Sequence, residues 1–203
     1  MILATLRVIP GVIAGVGALI LGLSVVWARY DHLHPLEMRV FSRINQLPDA
    51  FYRPLWLPMQ YGNFWVGLLG GAAVGFALGE PEIAVAVVLA ALAKLVVERG
   101  IRQRMAGFGA VRQRPLTSEP GAIARGDVPP AGVSFPSGHV ILAAGISTVL
   151  SSALDPGLAA VPWILTALVM LGRVYVGAHN PLDVTAGLGA GMIIGGVLDM
   201  LLR

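Results

Sequence analysis

The stretch VIPGVIAGVGALILGLSVVWA, residues 8–28, runs for 21 residues without a charge. At about 1.5 Å of rise per residue, a helix of that length crosses the roughly 30 Å of hydrocarbon in a bilayer. A cleaved leader is the competing reading, but its apolar region is normally about 7–15 residues long and a small-x-small site should follow it. None does, so residues 8–28 are expected to form a first membrane span. Composition points the same way: of 203 residues 56% are hydrophobic and 12% charged, and the mean hydropathy is +0.78. A soluble domain carries about 25% charged residues. The chain reads as a single membrane-embedded domain over residues 1–203, which excludes disorder, collagen-like repeats and coiled coil. It has no cysteine, which excludes disulfides, thiolate nucleophiles and thiolate metal sites.

Downstream, apolar blocks at 63–79, 83–97, 140–154, 157–172 and 184–198 add five helices. The expected fold class is therefore all-α, a polytopic membrane protein built as a six-transmembrane-helix bundle. Glycines within the blocks, among them Gly67, Gly71, Gly187, Gly191 and Gly195, permit close helix packing in lipid. Between the first two spans, residues 29–62 are amphipathic. Leu36, Val40, Ile44 and Leu47 share one helical face, Arg39 and Arg43 lie off it, and His32 and His34 precede it. This segment is expected to lie along the bilayer surface, with Trp56, Tyr61 and Trp65 in the interfacial belt. Residues 98–136 form the long polar loop. It contains a near-repeat, Ile101-Arg-Gln-Arg104 and Val111-Arg-Gln-Arg114. A loop of this length in a small bundle is more often functional than filler.

Alternating spans put residues 29–62, 98–136 and 175–181 on one face. Lys94 then lies near the end of the third helix, Ser137 and His139 at the start of the fourth, Arg173 at the end of the fifth, and His179 and Asp183 at the start of the sixth. The opposite face holds only Glu80, Glu82, Asp155, Asp199, Arg7 and Arg203. Taken singly, several of the site-face residues have ordinary explanations. Ser137 suits an N-cap, and Asn180-Pro-Leu-Asp183 reads as N-cap, first-position proline and first-turn acid. Arg173 and Lys94 can snorkel from helix ends. The imidazoles of His139 and His179 have no such bland role. Together these groups make a phosphate-handling set: helix N-termini that attract an anion, cations for phosphate oxygens, and two imidazoles for nucleophile and proton donor. A carboxylate four positions after His179 is expected to hold that ring's other nitrogen.

These residues resemble the signature of the type-2 phosphatidic acid phosphatase superfamily, which also contains the vanadium haloperoxidases. The block P-S-G-H is intact as Pro136-Ser137-Gly138-His139. The block S-R-x5-H-x3-D stands as Gly172-Arg173 through His179 to Asp183, with its leading Ser replaced by Gly172. The first block, K-x6-R-P, ends in Arg114-Pro115, but Gly107 occupies the position of its Lys. Lys94 with Arg102, and also Arg104 and Arg112, stand as further candidates for its cations. The resemblance covers about residues 63–203.

Carried over, the resemblance implies that His179 is the nucleophile, Asp183 its partner and His139 the acid for the leaving group. Arg173, Ser137, the Gly138 amide and a first-block cation, Arg114 or Lys94, would bind phosphate. It implies no metal and no cofactor. The expected activity is metal-independent hydrolysis of a membrane lipid phosphate through a phosphohistidine, the substrate being phosphatidic acid, phosphatidylglycerol phosphate or a polyprenyl (di)phosphate. The partners are then the lipid substrate and the bilayer, with no nucleic acid and the oligomeric state open. A lipid phosphotransferase and a non-catalytic lipid-phosphate binder or transporter are the alternatives. Two signals oppose each other on sidedness: twelve of the 14 Lys and Arg lie on the site face, a cytoplasmic bias, whereas the family places the site outside the cytoplasm.

Overall fold

The structure, a computed structural model, describes residues 10–29 and 34–202. Val8 and Ile9 of the first expected span, together with Arg7, His32 and Arg203, lie outside the described residues. Among the described residues nine α-helices follow one another: α1 (Pro10–Ala28), α2 (Pro35–Asn45), α3 (Tyr52–Met59), α4 (Phe64–Ala77), α5 (Pro81–Gly107), α6 (Pro115–Ser118), α7 (Gly138–Ala153), α8 (Val161–Tyr175) and α9 (Pro181–Leu202). The chain is all-α among the described residues, apart from one isolated antiparallel bridge between Gln113 and Val133. By length and composition α1 and α9 can cross a membrane, α4, α7 and α8 are shorter apolar helices, and α5 has 27 residues.

Local chemistry sets the boundaries. Asn63 caps α4 by accepting from the backbone N–H groups of Trp65 and Val66, and prolines open α5 and α9 where no N–H partner is needed. The third apolar block does not end near Val97. Its helix runs on to Gly107, because Glu98 pairs one turn back with Lys94 and one turn forward with Arg102, so the polar residues continue the helix along one face. It stops at Gly109, whose φ of +72° permits a Schellman closure: Ala110 N–H donates to Met105 O and Gly109 N–H to Ala106 O. Lys94 is thus mid-helix, and the polar loop begins at Phe108.

The bundle is built around α9, which packs on α1 and α7. Backbones approach closely there. A Cβ on Gly191 would fall 2.4 Å from Ile141 O of α7, and one on Gly189 would fall 2.7 Å from Gly17 O of α1. Small residues therefore occupy the inside while Leu19, Leu23, Trp65, Leu69, Phe76 and Val96 point outward, which is the arrangement expected when the surroundings are lipid.

Helix α2 follows the same rule. The stripe that begins at Leu36 and Val40 faces out, and the buried face is Glu37, Phe41 and Asn45, one position along. In a lipid setting the apolar stripe meets the surroundings and the polar positions turn inward, where they brace the site.

Candidate active site

The ends of α7, α8 and α9 meet at one place, where Ser137 N–H donates to Asp183 O at 3.0 Å. His179 lies just before α9 and is 3% exposed. Its Nδ1 is 2.9 Å from the carbonyl oxygen of Ser134. A carbonyl only accepts, so Nδ1 carries the proton and the Nε2 lone pair is left for chemistry. The expected partner, Asp183, stands off: its Oδ2 is 3.8 Å from Nδ1, an electrostatic contact and not a hydrogen bond. The reason is that Asp183 is committed elsewhere. Its Oδ2 accepts from Asn180 N–H at 2.9 Å, the reciprocal arm of a capping box, and its Oδ1 accepts from Arg112 Nε at 3.1 Å. Burial holds the His179 imidazole below its usual pKa against the opposing attraction of Asp183.

Arg112 joins two acids. Its Nη2 donates to Glu37 Oε1 at 2.6 Å while Nε serves Asp183, and the same Glu37 oxygen accepts from Leu182 N–H at 3.0 Å. Glu37 of α2 therefore supports the first turn of α9 from outside the motif. Burial raises the Glu37 pKa, with Arg112 opposing.

The segment carrying Arg112 is extended and pairs with the residues before α7. Ser134 N–H and Oγ both donate to Arg112 O, and Arg114 N–H donates to Gly132 O. Arg114 is partly buried and its Nη1 donates to Ala178 O at 2.9 Å, next to the nucleophile candidate. Burial, and next the neighbouring Arg102, hold the Arg114 pKa below its usual value.

A second brace holds the link between α8 and α9. Asn45 donates to Ile123 O and Tyr175 O, and Arg125 donates to Asn45 O, Leu47 O and Tyr175 O. The three segments expected to share a face are thus stitched together.

Around the N-terminus of α7 several donors are buried without a partner among the described residues: Ser137 Oγ, Arg173 Nε and Arg102 Nε, with both polar atoms of the Asn180 side chain. Ser137 and Asn180 therefore do not use their side chains as helix caps. His139 feels the charges of Arg173, His179, Lys94 and Arg114, which places all five together. Lys94 is not free. Its Nζ is 2.7 Å from Glu98 Oε2, and Arg102 Nη2 is 2.5 Å from Glu98 Oε1. That carboxylate abuts Gly138, where a Cβ would fall 2.4 Å from Oε2.

Gly172, in place of the motif's serine, also has a local cause: a Cβ there would lie 2.4 Å from Met59 Cγ of α3. Arg104 is exposed on another face of α5. Among the described residues no cluster of three or more His, Cys, Asp or Glu is placed to hold a metal.

Sequence reasoning missed the Ser134 carbonyl, Glu37, Glu98 and the brace from Asn45 and Arg125. A backbone carbonyl has no sequence signature. Glu37 and Asn45 did carry one, as polar residues eight apart on the face of an otherwise lipid-directed helix.

The chain has counterparts among known proteins. The model of the PAP2 superfamily matches residues 83–200. The crystal structure of Aquifex aeolicus LpxE is similar with a TM-score of 0.72 at 22% identity, covering 85% of this chain and 98% of that one. The crystal structure of the first transmembrane PAP2 type phosphatidylglycerolphosphate phosphatase from Bacillus subtilis is similar with a TM-score of 0.70 at 15% identity, covering 91% and 94%. At such identities the two structures speak for the fold alone. No curated protein matches the chain.

Proposed function

Since the chain belongs to the PAP2 superfamily, we propose that it is a membrane lipid phosphatase that spans the bilayer six times and cleaves a phosphomonoester or diphosphate through a phosphohistidine. The observation that carries this reading is the 2.9 Å contact of His179 Nδ1 with a carbonyl, which presents an unprotonated Nε2 beside unpartnered Ser137 Oγ and Arg173 Nε. Nε2 attacks phosphorus, the bond from phosphorus to the lipid oxygen breaks, and protonated His139 gives its proton to the departing alkoxide. Asp183, 3.8 Å from Nδ1, stabilises the imidazolium charge that develops. Water then attacks phosphorus while His139 takes its proton, the P–N bond breaks and inorganic phosphate leaves. Arg173, Arg114, Ser137 and the Gly138 N–H cradle the phosphoryl oxygens. Lipid tails stay in the bilayer and reach the site laterally.

Turnover requires no divalent ion in this scheme, since Asp183, the carboxylate nearest the nucleophile, is held by Arg112 and Asn180. The purified protein is expected to release phosphate from a panel of phosphatidic acid, phosphatidylglycerol phosphate and polyprenyl diphosphate in EDTA, and to be inhibited by vanadate. Activity abolished by EDTA and restored by Mg²⁺ would sink the metal-independent scheme, and release that depends on an added acceptor would make the protein a phosphotransferase. The two histidines separate by leaving group. In single-turnover assays His179→Ala should lose lipid phosphate and p-nitrophenyl phosphate alike, by on the order of a thousandfold. His139→Ala should lose the lipid reaction far more than the aryl one, whose leaving group needs no proton. The reverse pattern exchanges the two roles. Impermeant labelling of the 98–136 loop in intact cells reads which side of the membrane holds the site.

A further inference from the structure

Hydrolysis as described gives no task to the acid between Lys94 and Arg102. A helix-surface ion pair can turn its charges toward water, but Glu98 turns inward: its side chain is 14% exposed and its carboxylate lies against Gly138 in the first turn of α7. Free backbone N–H groups and the positive end of the helix draw an anion to that place. Two cations grip the carboxylate, one on each oxygen. Three buried unpartnered donors, Ser137 Oγ, Arg173 Nε and Arg102 Nε, belong to the same region, and Arg114 also feels the Glu98 charge. An anion at a helix N-terminus, held by cations on separate oxygens, is the pattern a phosphoryl group would make.

We propose that Glu98 is an internal stand-in for phosphate, holding Lys94, Arg102 and the α7 N-terminus in place until the phosphoryl group of the substrate displaces it. The proposal deepens the phosphatase reading and rests on it. Its consequence is on affinity. Each contact that phosphate gains from Lys94 or Arg102 is offset by one that Glu98 gives up, so ground-state binding is weakened. The same holds for the product: when inorganic phosphate has formed, Glu98 competes for the cations and helps it leave. Glu98 is in these terms a residue that sets specificity for the bound state, raising KM while keeping release from limiting turnover.

Inorganic phosphate and orthovanadate would be titrated calorimetrically into the full chain in detergent, and KM, kcat and phosphate inhibition measured on the best lipid phosphate. Glu98→Gln keeps the shape and removes the charge. It should bind both anions about tenfold more tightly, as expected for removing a like charge beside a bound anion, with KM falling in step and kcat not rising. Glu98→Asp draws the carboxylate back by one methylene and should tighten binding about threefold at the same net charge. It serves as the second probe should Glu98→Gln aggregate.

Unchanged or weaker anion binding in a monodisperse variant overturns the proposal, since weaker binding would mean that Glu98 merely orients the cations. A wild-type protein that neither binds vanadate nor hydrolyses any lipid phosphate overturns the phosphatase reading and this one with it. A wild type that does both while the variants are unmoved overturns only the role of Glu98.

Discussion

Arg-Gln-Arg occurs twice, ten residues apart, and the two copies lie differently. Arg102 and Arg104 sit in α5, where residues two apart point about 200° away from each other. Arg102 accordingly reaches Glu98 at the site, whereas Arg104 is exposed among Val97, Ile101 and Phe108 on the side of α5 near Val25. Arg112 and Arg114 sit in an extended segment, where residues two apart share a side. Both therefore turn inward, Arg112 to Glu37 and Asp183 and Arg114 to Ala178 O. Identical side chains contribute one inward cation from the helix and two from the extended copy. Backbone conformation, more than residue type, decides which arginines serve the site.

The largest effect should come from breaking the extended copy at Arg112. It is 9% exposed and bonds two buried carboxylates. Arg112→Met leaves Glu37 and Asp183 without their cation, at a cost of about 3–5 kcal/mol. Thermal unfolding in detergent should show the loss, and lipid phosphate turnover should fall on the order of a thousandfold as α9's first turn shifts beneath His179. A double variant that also carries Glu37→Gln should recover part of the stability, since one unpaired charge is removed. No recovery would mean that the Glu37–Arg112 bond is not what holds α2 against α9.

Much of this was legible beforehand and some was not. The apolar blocks gave the helices, and the P-S-G-H and R-x5-H-x3-D spacings gave His139, His179, Arg173 and Asp183, because those signals are local. The first block was not resolved by spacing. Lys94 with Arg102, and Arg114 with Pro115, are competing candidates by spacing, yet in the fold Lys94 and Arg102 both bond Glu98, and Lys94 and Arg114 both lie within electrostatic reach of His139. Tertiary pairing, which spacing along the chain does not encode, places these cations. At His179 Nδ1 the hydrogen bond goes to Ser134 O, with Asp183 an ion-pair neighbour at 3.8 Å, for a related reason. The i,i+4 spacing puts Asp183 near the ring, but an acid in the third helical position has a competing use in closing the capping box on Asn180 N–H. On α2 the apolar stripe was legible, whereas Glu37 and Asn45, polar residues eight apart on the buried face, were passed over.

A smaller effect separates Arg114, proposed above to hold the phosphoryl group, from Arg102, which turns to Glu98. Arg114 is held on Ala178 O by Nη1 alone, leaving the rest of the guanidinium for phosphate oxygens. Arg102 spends Nη2 on Glu98. Arg114→Lys should thus cost on the order of a hundredfold in kcat/KM through loss of the planar fork, and Arg102→Lys about tenfold, since a point charge still satisfies Glu98. The two ratios would be measured on one lipid phosphate under one set of conditions. Equal losses, or a larger one at Arg102, would move the principal phosphate contact to the α5 wall.

The smallest effect belongs to Arg104 and is the sharpest test of the comparison. It shares its two preceding residues with Arg114, so a mechanism that depended on local sequence would treat the pair alike. Helical phase makes them different: with Arg102 turned to Glu98, Arg104 lies on the face that looks past α1, beside the apolar side chains of Val25 and Phe108. Arg104→Lys keeps the charge and the long apolar stem that can lie along that surface. The change in kcat/KM should stay within about twofold, since surface substitutions away from special features are nearly neutral. A tenfold loss in a protein that remains monodisperse would mean that Arg104 reaches the phosphate, that α5 is rotated from the phase described, and that the helical copy of Arg-Gln-Arg delivers both its cations to the site.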